Sequence, residues 1–295
     1  MMEPMALQGG PAIRPDQFET IRTMVYNFCG VDLTGKQVLV ESRLRKKIQD
    51  AGFASTESYL KQVRQNPDSV LFTSMIDVLT TNHTSFYRER QHFDLLRDVI
   101  APAIPAPEKI AIWSAACSSG EEPYTIAFSL FEALGDAALT RTRILATDVS
   151  TRVLEKARRG LYPVTSVKDV PRDICRRCLL KGCGEHAHEC LVKQEVRQLV
   201  EFEKFNLLGD CSSYGPFHVI FCRNVMIYFD KKTQETVVNK LATRLLPGGY
   251  LMVGHSESLS GVQHPLNYVM PATYQKAGGR ASHLDKRVTG LRRSR

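Results

Sequence analysis

The sequence predicts an α/β protein in two parts, a small all-helical domain followed by a doubly wound parallel sheet. Three observations point there. Between residues 15 and 80 apolar residues recur at helical spacing, as in Phe18, Ile21, Val25 and Phe28. From about residue 109 the rhythm changes to short β-branched runs alternating with helix-length segments, the pattern of parallel strands joined by crossover helices. At the first such junction, "IWSAACSSGEEPYTIAF" passes from an apolar strand through a loop of small residues into a helix.

Taken in order, a first helix starts at Pro15 and closes at Gly30. Thr34, with Gln37 three residues on, reads as a capping box for a second helix ending near Gly52. A third runs from about Ser55 to the Asn66–Pro67 stop, and a fourth from Ser69 to Leu79. "FYRERQHFDLLRDVIAP" reads as a linking helix ended by Pro102, Pro105 and Pro107. "KIAIWSAA" is then a strand, and Pro123–Leu134 an amphipathic helix closed by Gly135. "RILATD" is a second strand, followed by the helix "STRVLEKARRG". Later come the strand "FHVIFC", the helix "DKKTQETVVNKLATRLL" and the strand "GYLMVG". Residues 163–200, rich in Pro, Cys, His and charge, break the rhythm and read as an insertion. The resulting division is a flexible start (1–14), a helical domain (15–90), a sheet domain (91–275) and a basic, disordered tail (276–295).

The net charge of +8 raises the question of a nucleic-acid partner. Residues 1–100 balance 12 basic against 12 acidic side chains, whereas residues 276–295 carry 7 against 1. The excess sits in a Gly/Ser/Arg-rich terminus and one middle segment, so no nucleic-acid partner is expected. No run approaches the roughly 20 apolar residues of a membrane span, so no membrane insertion is expected. The start "MMEPMALQGGPAIRP" lacks a basic region followed by an apolar run, and the expected compartment is the cytoplasm.

In a doubly wound sheet the ligand lies at the carboxyl ends of the central strands. The first strand end supplies Ala116–Glu122, with one glycine, Gly120, where a dinucleotide fingerprint has three. Glu121 and Glu122 disfavour a polyphosphate and favour a cationic or hydroxylated ligand. The second supplies Asp148, suited to a ribose, and the third Arg223, Asn224 and Tyr228. A nucleoside with an amino-acid tail fits: S-adenosylmethionine offers a ribose to Asp148, an ammonium to Glu121 or Glu122, and a carboxylate to an arginine. Simpler roles stay open, with the two glutamates complementing a helix dipole and Asp148 acting as a helix N-cap. Asn82, Thr84 and Arg88 in "TTNHTSFYRER" either orient the ligand or form a capped turn.

The stretches "LTTNHTSFYRE", "IWSAACSSGEEPYTIA", "ATDVS", "VLEKARRGLY", "FNLL", "GPFHVIFCRNVMIYFD" and "LLPGGYLMVGHSESL" occur in this order. Together they resemble the CheR-type chemotaxis receptor methyltransferases, from about Gln17 to Gln275. The resemblance implies a Rossmann-like class I methyltransferase sheet with an N-terminal all-helical domain and a small antiparallel β insertion. It implies S-adenosylmethionine-dependent methylation of glutamate side chains on the cytoplasmic helices of chemoreceptors, with S-adenosylhomocysteine as product. It places cofactor contacts on Asn82, Thr84, Arg88, Glu121 or Glu122, Asp148, Asn206, Leu207, Arg223 and Asn224, and catalytic roles on Tyr228 and Arg88. A glutamate is already ionised at neutral pH, so no general base is required. His255 in "GHSES" is accordingly read as structural, and Ser114, Ser118 and Ser119 need not be nucleophiles. The alternatives are a cofactor-binding regulator without turnover and a methyltransferase of another substrate.

The resemblance also places a receptor-facing basic helix on "VESRLRKKIQD", through Arg43, Lys46 and Lys47, where the plain alternative is a solvated helix face. A receptor C-terminal peptide is a further expected partner, at the insertion. There the chain departs from the family pattern: "CRRCLLKGCGEHAHEC" brings Cys175, Cys178, Cys183, His186, His188 and Cys190. No metal is expected, with tetrahedral zinc at the cysteines as the minor alternative.

Overall fold

The computed structural model describes residues 12–66, 69–80 and 82–278, in two compact units divided between Thr81 and Asn82. Most of the expected flexible start and basic tail lies outside the described residues.

The first unit packs four helices, α1 (Pro15–Cys29), α2 (Gln37–Asp50), α3 (Thr56–Gln65) and α4 (Val70–Leu79). Pro15 suits a first helical turn, and Gly30 takes the left-handed C-cap at φ 75°. The side chains of Ser55 and Ser69 accept hydrogen bonds from the amides of Ser58 and Phe72, starting α3 and α4. The capping box expected at Thr34 does not form. Asp32 stands two residues earlier and takes both the Thr34 amide (2.9 Å) and its hydroxyl (2.6 Å). Gln37 turns to Glu41 instead, and α2 starts without a side-chain cap.

The second unit opens with α5 (Gln91–Leu95), which continues through a π turn (Leu96–Ile100) into α6 (Ala101–Ala103). The expected linking helix is therefore shorter and irregular, starting at Gln91 rather than Phe86 and carrying Pro102 inside its last short turn. There follow β1 (Ile110–Ala115), α7 (Glu121–Leu134), α8 (Ala138–Arg141), β2 (Thr142–Asp148) and α9 (Thr151–Arg159). Next come β3 (Leu161–Pro163), α10 (Arg172–Cys178), β4 (Leu179–Lys181), β5 (Glu189–Val192), α11 (Gln194–Arg197) and β6 (Val200–Lys204). The chain then runs through β7 (Phe217–Phe221), α12 (Lys231–Arg244), β8 (Leu245–Met252), β9 (Leu266–Met270) and β10 (Thr273–Lys276).

Seven strands form the main sheet in the order β6-β2-β1-β7-β8-β10-β9. It is parallel from β6 to β8, with Ile112 aligned between Ile144 and Val219. One correction to the parallel sheet falls at its edge, where β10 runs antiparallel to both β8 and β9. Only Pro271 and Ala272 join β9 to β10, and Ala272 turns the chain at φ 57°, a connection that permits antiparallel pairing only. The insertion forms a separate antiparallel sheet, β3-β5-β4.

Helix α7 lies at the centre, and its expected amphipathic character is not what the fold uses. Every residue from Pro123 to Phe131 is buried. One side meets the sheet, while Phe93, Leu96 and Ile100 from the preceding segment and Tyr162, Ile174 and Val192 from the insertion share its core. A helix enclosed on several sides is apolar nearly all round.

At the β1–α7 turn, Gly120 has φ 94°, and a Cβ there would stand 2.7 Å from the Tyr162 hydroxyl and 2.8 Å from the Ala157 Cβ. Gly120→Ala is expected to cost about 3 kcal/mol, combining left-handed strain with displacement of α9. Thermal unfolding measures it, and an unchanged midpoint would refute this packing.

Candidate functional site

Because β6, β2, β1, β7 and β8 are parallel, their carboxyl ends share one edge, and the predicted strand-end residues meet there. After β1 the chain turns sharply, with Ala116 at φ 81° and Ser118 at φ 49°. The amides of Ala116 and Cys117 both donate to the Thr147 carbonyl at 2.8 Å, fastening this loop to β2. Asp148, at the end of β2, accepts from the Ser118 amide (2.8 Å) with one oxygen and from the Ser150 amide (2.9 Å) with the other. Ser150, rather than Asp148, caps α9, so the simple N-cap role for Asp148 is excluded. The Asp148 carbonyl accepts from the Phe205 amide, which brings the "FNLL" loop alongside. In that loop Asn206 accepts the Leu208 amide through its side chain, and Leu207 is buried.

The paired acids separate in role. Glu121 is buried and accepts from the Ser119 hydroxyl at 2.7 Å, with Lys156 at 3.8 Å. Glu122 accepts from the Ser114 hydroxyl (2.7 Å) and from the Arg223 guanidinium (2.9 Å). Arg223 leaves only 1% of its side chain exposed. Its other terminal nitrogen meets Glu89 at 2.9 Å and the Arg88 carbonyl, while the Phe93 ring centre lies 5.2 Å away. Two residues expected at the cofactor, Glu122 and Arg223, are thus bonded to each other.

Glu89 was not singled out by the sequence reading, although it directly follows Arg88. Its second oxygen accepts from the Asn224 side chain at 3.2 Å, and Asn224 itself is left-handed at φ 57°. Burial opposes its ionisation, but the charge and hydrogen bond of Arg223, with Asn224 and the His255 backbone, hold its carboxyl down to about 2. Glu257 is a second residue not legible in the sequence, where nothing in "GHSES" marks its carboxylate as buried. The buried Glu257 carboxylate accepts from the amides of Gly254 (2.6 Å), Asn224 (2.8 Å) and Ile227 (3.2 Å). Burial raises its pKa, and these amides oppose the rise. Glu257 thereby shapes the turn Met226–Tyr228, in which Tyr228 is half-buried. His255 is exposed, its ring edge-on to the buried His92 at 5.2 Å.

The Asn82–Arg90 segment folds onto the sheet unit. The Asn82 carbonyl accepts from the Ser118 hydroxyl at 2.9 Å. Phe86 anchors the segment, stacked on Phe128 (5.9 Å) and edge-on to Tyr162 (5.0 Å). Thr84 and Arg88 are half-buried, and Arg88 donates to the His83 carbonyl at 2.8 Å. In the helical unit, Arg43 donates to the carbonyls of Val78, Leu79 and Thr80, each at 3.3 Å, covering the carboxyl end of α4. Lys46 is exposed and Lys47 half-buried.

The cysteine cluster does not assemble a tetrahedral site. Cys190 donates to the Tyr162 carbonyl, Cys175 to that of Val170, and Cys183 is exposed. Burial pushes the thiols of Cys178 and Cys190 up to about 12 and about 11. Among the described residues, no three of these cysteines and histidines bring their ligand atoms together.

Glu257→Ala leaves three amides without their acceptor. It is expected to cost about 3 kcal/mol in unfolding measurements and to disorder the Tyr228 turn. Unchanged stability would show that these amides find other acceptors.

Comparison with known proteins identifies the family. The family described as CheR methyltransferase, all-alpha domain, matches residues 16–80, and CheR methyltransferase, SAM binding domain, matches residues 82–275. A chemotaxis protein methyltransferase of Borreliella burgdorferi is 38% identical over 273 residues, covering 90% of this chain and 95% of that protein. Chemotaxis protein methyltransferase 2 of Pseudomonas aeruginosa is 39% identical over 265 residues, covering 89% and 93%. The chemotaxis protein methyltransferase of Salmonella typhimurium is 39% identical over 253 residues, covering 85% and 86%. The helical unit and the sheet unit each match a domain of one family, and the chain belongs to the CheR methyltransferases.

Proposed function

We propose that this protein transfers a methyl group from S-adenosylmethionine to glutamate side chains of chemoreceptors, giving glutamyl methyl esters and S-adenosylhomocysteine. The observation that carries this reading is the meeting of Asp148, the Ser118–Glu122 loop and the Arg223–Asn224 strand end at one sheet edge, in a chain of this family.

The donor set suits the cofactor. Asp148 is a carboxylate braced by two amides, oriented to accept from a ribose diol. Asn206 and Leu207 supply a polar and an apolar wall for an adenine, and Asn82, Thr84 and Arg88 face the amino-acid end. Of the adjacent acids, Glu121 is assigned to the cofactor ammonium, because the charge of Glu122 is already matched by the buried Arg223 at 2.9 Å, whereas the cation beside Glu121, the exposed Lys156, stands 3.8 Å away. Bound S-adenosylmethionine supplies an electrophilic methyl group on a sulfonium sulfur. The acceptor glutamate, with a reference pKa near 4.3, arrives ionised. Its carboxylate oxygen would take that methyl group, with the carbon–sulfur bonding pair left on the sulfur. No proton moves. The chain's task is alignment and exclusion of water, with the Tyr228 hydroxyl orienting the acceptor carboxylate and Arg88 holding charge at the cofactor end.

On α2, Lys46 and Lys47 form the surface for acidic receptor helices, while Arg43 is spent on the end of α4. A receptor C-terminal peptide is assigned to the outer edge of β4 as an added strand, beside the exposed Leu180. The cytoplasm is the proposed compartment; among the described residues no helix is long and apolar enough to cross a membrane.

Titration calorimetry with S-adenosylhomocysteine tests the cofactor site. Asp148→Asn is expected to weaken binding about 10- to 100-fold, and undiminished binding would remove Asp148 from the site. Tyr228→Phe is expected to preserve cofactor affinity and lower the yield of base-labile methyl esters on receptor fragments about 100-fold; wild-type turnover would leave Tyr228 a packing role.

Reversing both lysines, Lys46→Glu with Lys47→Glu, is expected to raise KM for receptor fragments about tenfold with kcat little changed. An unaltered KM would place the receptor elsewhere.

A further inference from the structure

The buried ring of His92 has no role in the reading above. It is 0% exposed, and neither ring nitrogen has a hydrogen-bond partner. Buried polar atoms are nearly always satisfied, so two orphaned nitrogens on one ring call for an explanation. Around that ring stand Glu89, whose carboxylate oxygen lies 4.0 Å from His92 Nδ1, and His255, whose ring centre lies 5.2 Å away. One ligand atom from each of Glu89, His92 and His255 falls within 4.8 Å of the others.

We infer that Glu89, His92 and His255 form a binding site for a borderline divalent cation of the zinc class, and that its occupation antagonises cofactor binding. Two imidazoles and one carboxylate are the donor set such ions select, whereas magnesium and calcium require oxygen donors. Donor atoms around a tetrahedral zinc with bonds of about 2.1 Å lie roughly 3.4 Å apart. The cluster must therefore contract by up to about 1.4 Å, with the exposed His255 side chain swinging in and the Glu89 carboxylate closing its 4.0 Å separation from His92. The neighbouring charge does not forbid a cation. Arg223 is the buried positive group at hand, and Glu122 still matches its charge when Glu89 turns toward the metal.

The antagonism follows from shared atoms. The Glu89 oxygen nearest His92 is the one that holds Arg223, and its other oxygen holds Asn224. Drawing this carboxylate toward a metal loosens both residues at the third strand end. That consequence rests on the function proposed above, but the existence of the site does not.

The test uses the full chain, stripped of metal, titrated with Co2+ as a spectroscopic substitute, beside His255→Ala. The side chain of His255 is exposed and outside the proposed cofactor and acceptor contacts, so this variant should fold and bind S-adenosylhomocysteine as wild type does. Wild type is expected to develop stoichiometric ligand-field bands without the intense sulfur-to-metal charge transfer of thiolate ligands, and the variant to lose them. Absence of the bands, their persistence in the variant, or a thiolate spectrum from the cysteines would overturn the site. In a second arm, one equivalent of Zn2+ is expected to weaken S-adenosylhomocysteine binding to wild type about tenfold and to leave the variant unaffected. Equal affinities with and without zinc would overturn the antagonism. Failure of metal-free wild type to bind S-adenosylhomocysteine would instead sink the functional reading and leave the cobalt result standing on its own.

Discussion

A guanidinium buried between two carboxylates holds this site together. Arg223 comes from the end of β7, Glu122 from the first turn of α7, and Glu89 from the segment before α5. Isolating such a charge from water costs several kcal/mol, and removing one partner of a buried pair typically costs about 3–5 kcal/mol. The chain therefore cannot place β7 correctly without also placing the amino end of α7 and the turn containing Arg88. Asn224 extends the same arrangement through Glu89, and Glu257 carries it to β8 by gripping the amides of Asn224 and Gly254. Residues expected to touch a ligand are thereby set at their positions by contacts to one another.

The same economy explains a loop with a single glycine. A dinucleotide fingerprint uses glycines so that backbone amides can close on a pyrophosphate. Here Ala116 and Ser118 take the left-handed conformations, and the Ser118 amide is turned onto Asp148. Gly120 serves packing, since it lies against Ala157 and the Tyr162 hydroxyl, which donates to the Ser119 carbonyl. The amides that would cradle a phosphate instead brace a carboxylate, which in turn suits a hydroxyl-bearing ligand.

How far the sequence could be read follows from the range of each interaction. Helical periodicity, the strand–helix alternation and the acid at the end of β2 are local signals, and the structure has the corresponding helices, strands and strand end. The capping box at Thr34 was also local, but Asp32 offered a nearer acceptor. Helix α7 looked amphipathic because its enclosure by Phe93, Leu96 and Ile100 is a tertiary fact. Glu89 and Glu257 escaped for a similar reason. Their importance lies in partners far away along the chain, Arg223 and Asn224, and nothing in "FYRER" or "GHSES" announces which carboxylate will be buried. Arg43 reads as surface charge in sequence and proves to cover the carbonyls closing α4.

Glu89 and Glu257 show how one residue type performs two tasks a few ångströms from the same asparagine. Burial raises the pKa of each. At Glu89 the full charge of Arg223 overcomes that effect and drives the carboxyl to about 2, so it is a fixed anion at any physiological pH. At Glu257 the partners are amide dipoles alone, which are weaker, and the pKa stays above its ordinary value. Neither group needs to exchange a proton during methyl transfer to an acceptor that is already ionised. Acids that would serve as general bases in another enzyme are therefore free to be used here as rigid fasteners, which fix Asn224 and, through the Ile227 amide, the turn that carries Tyr228.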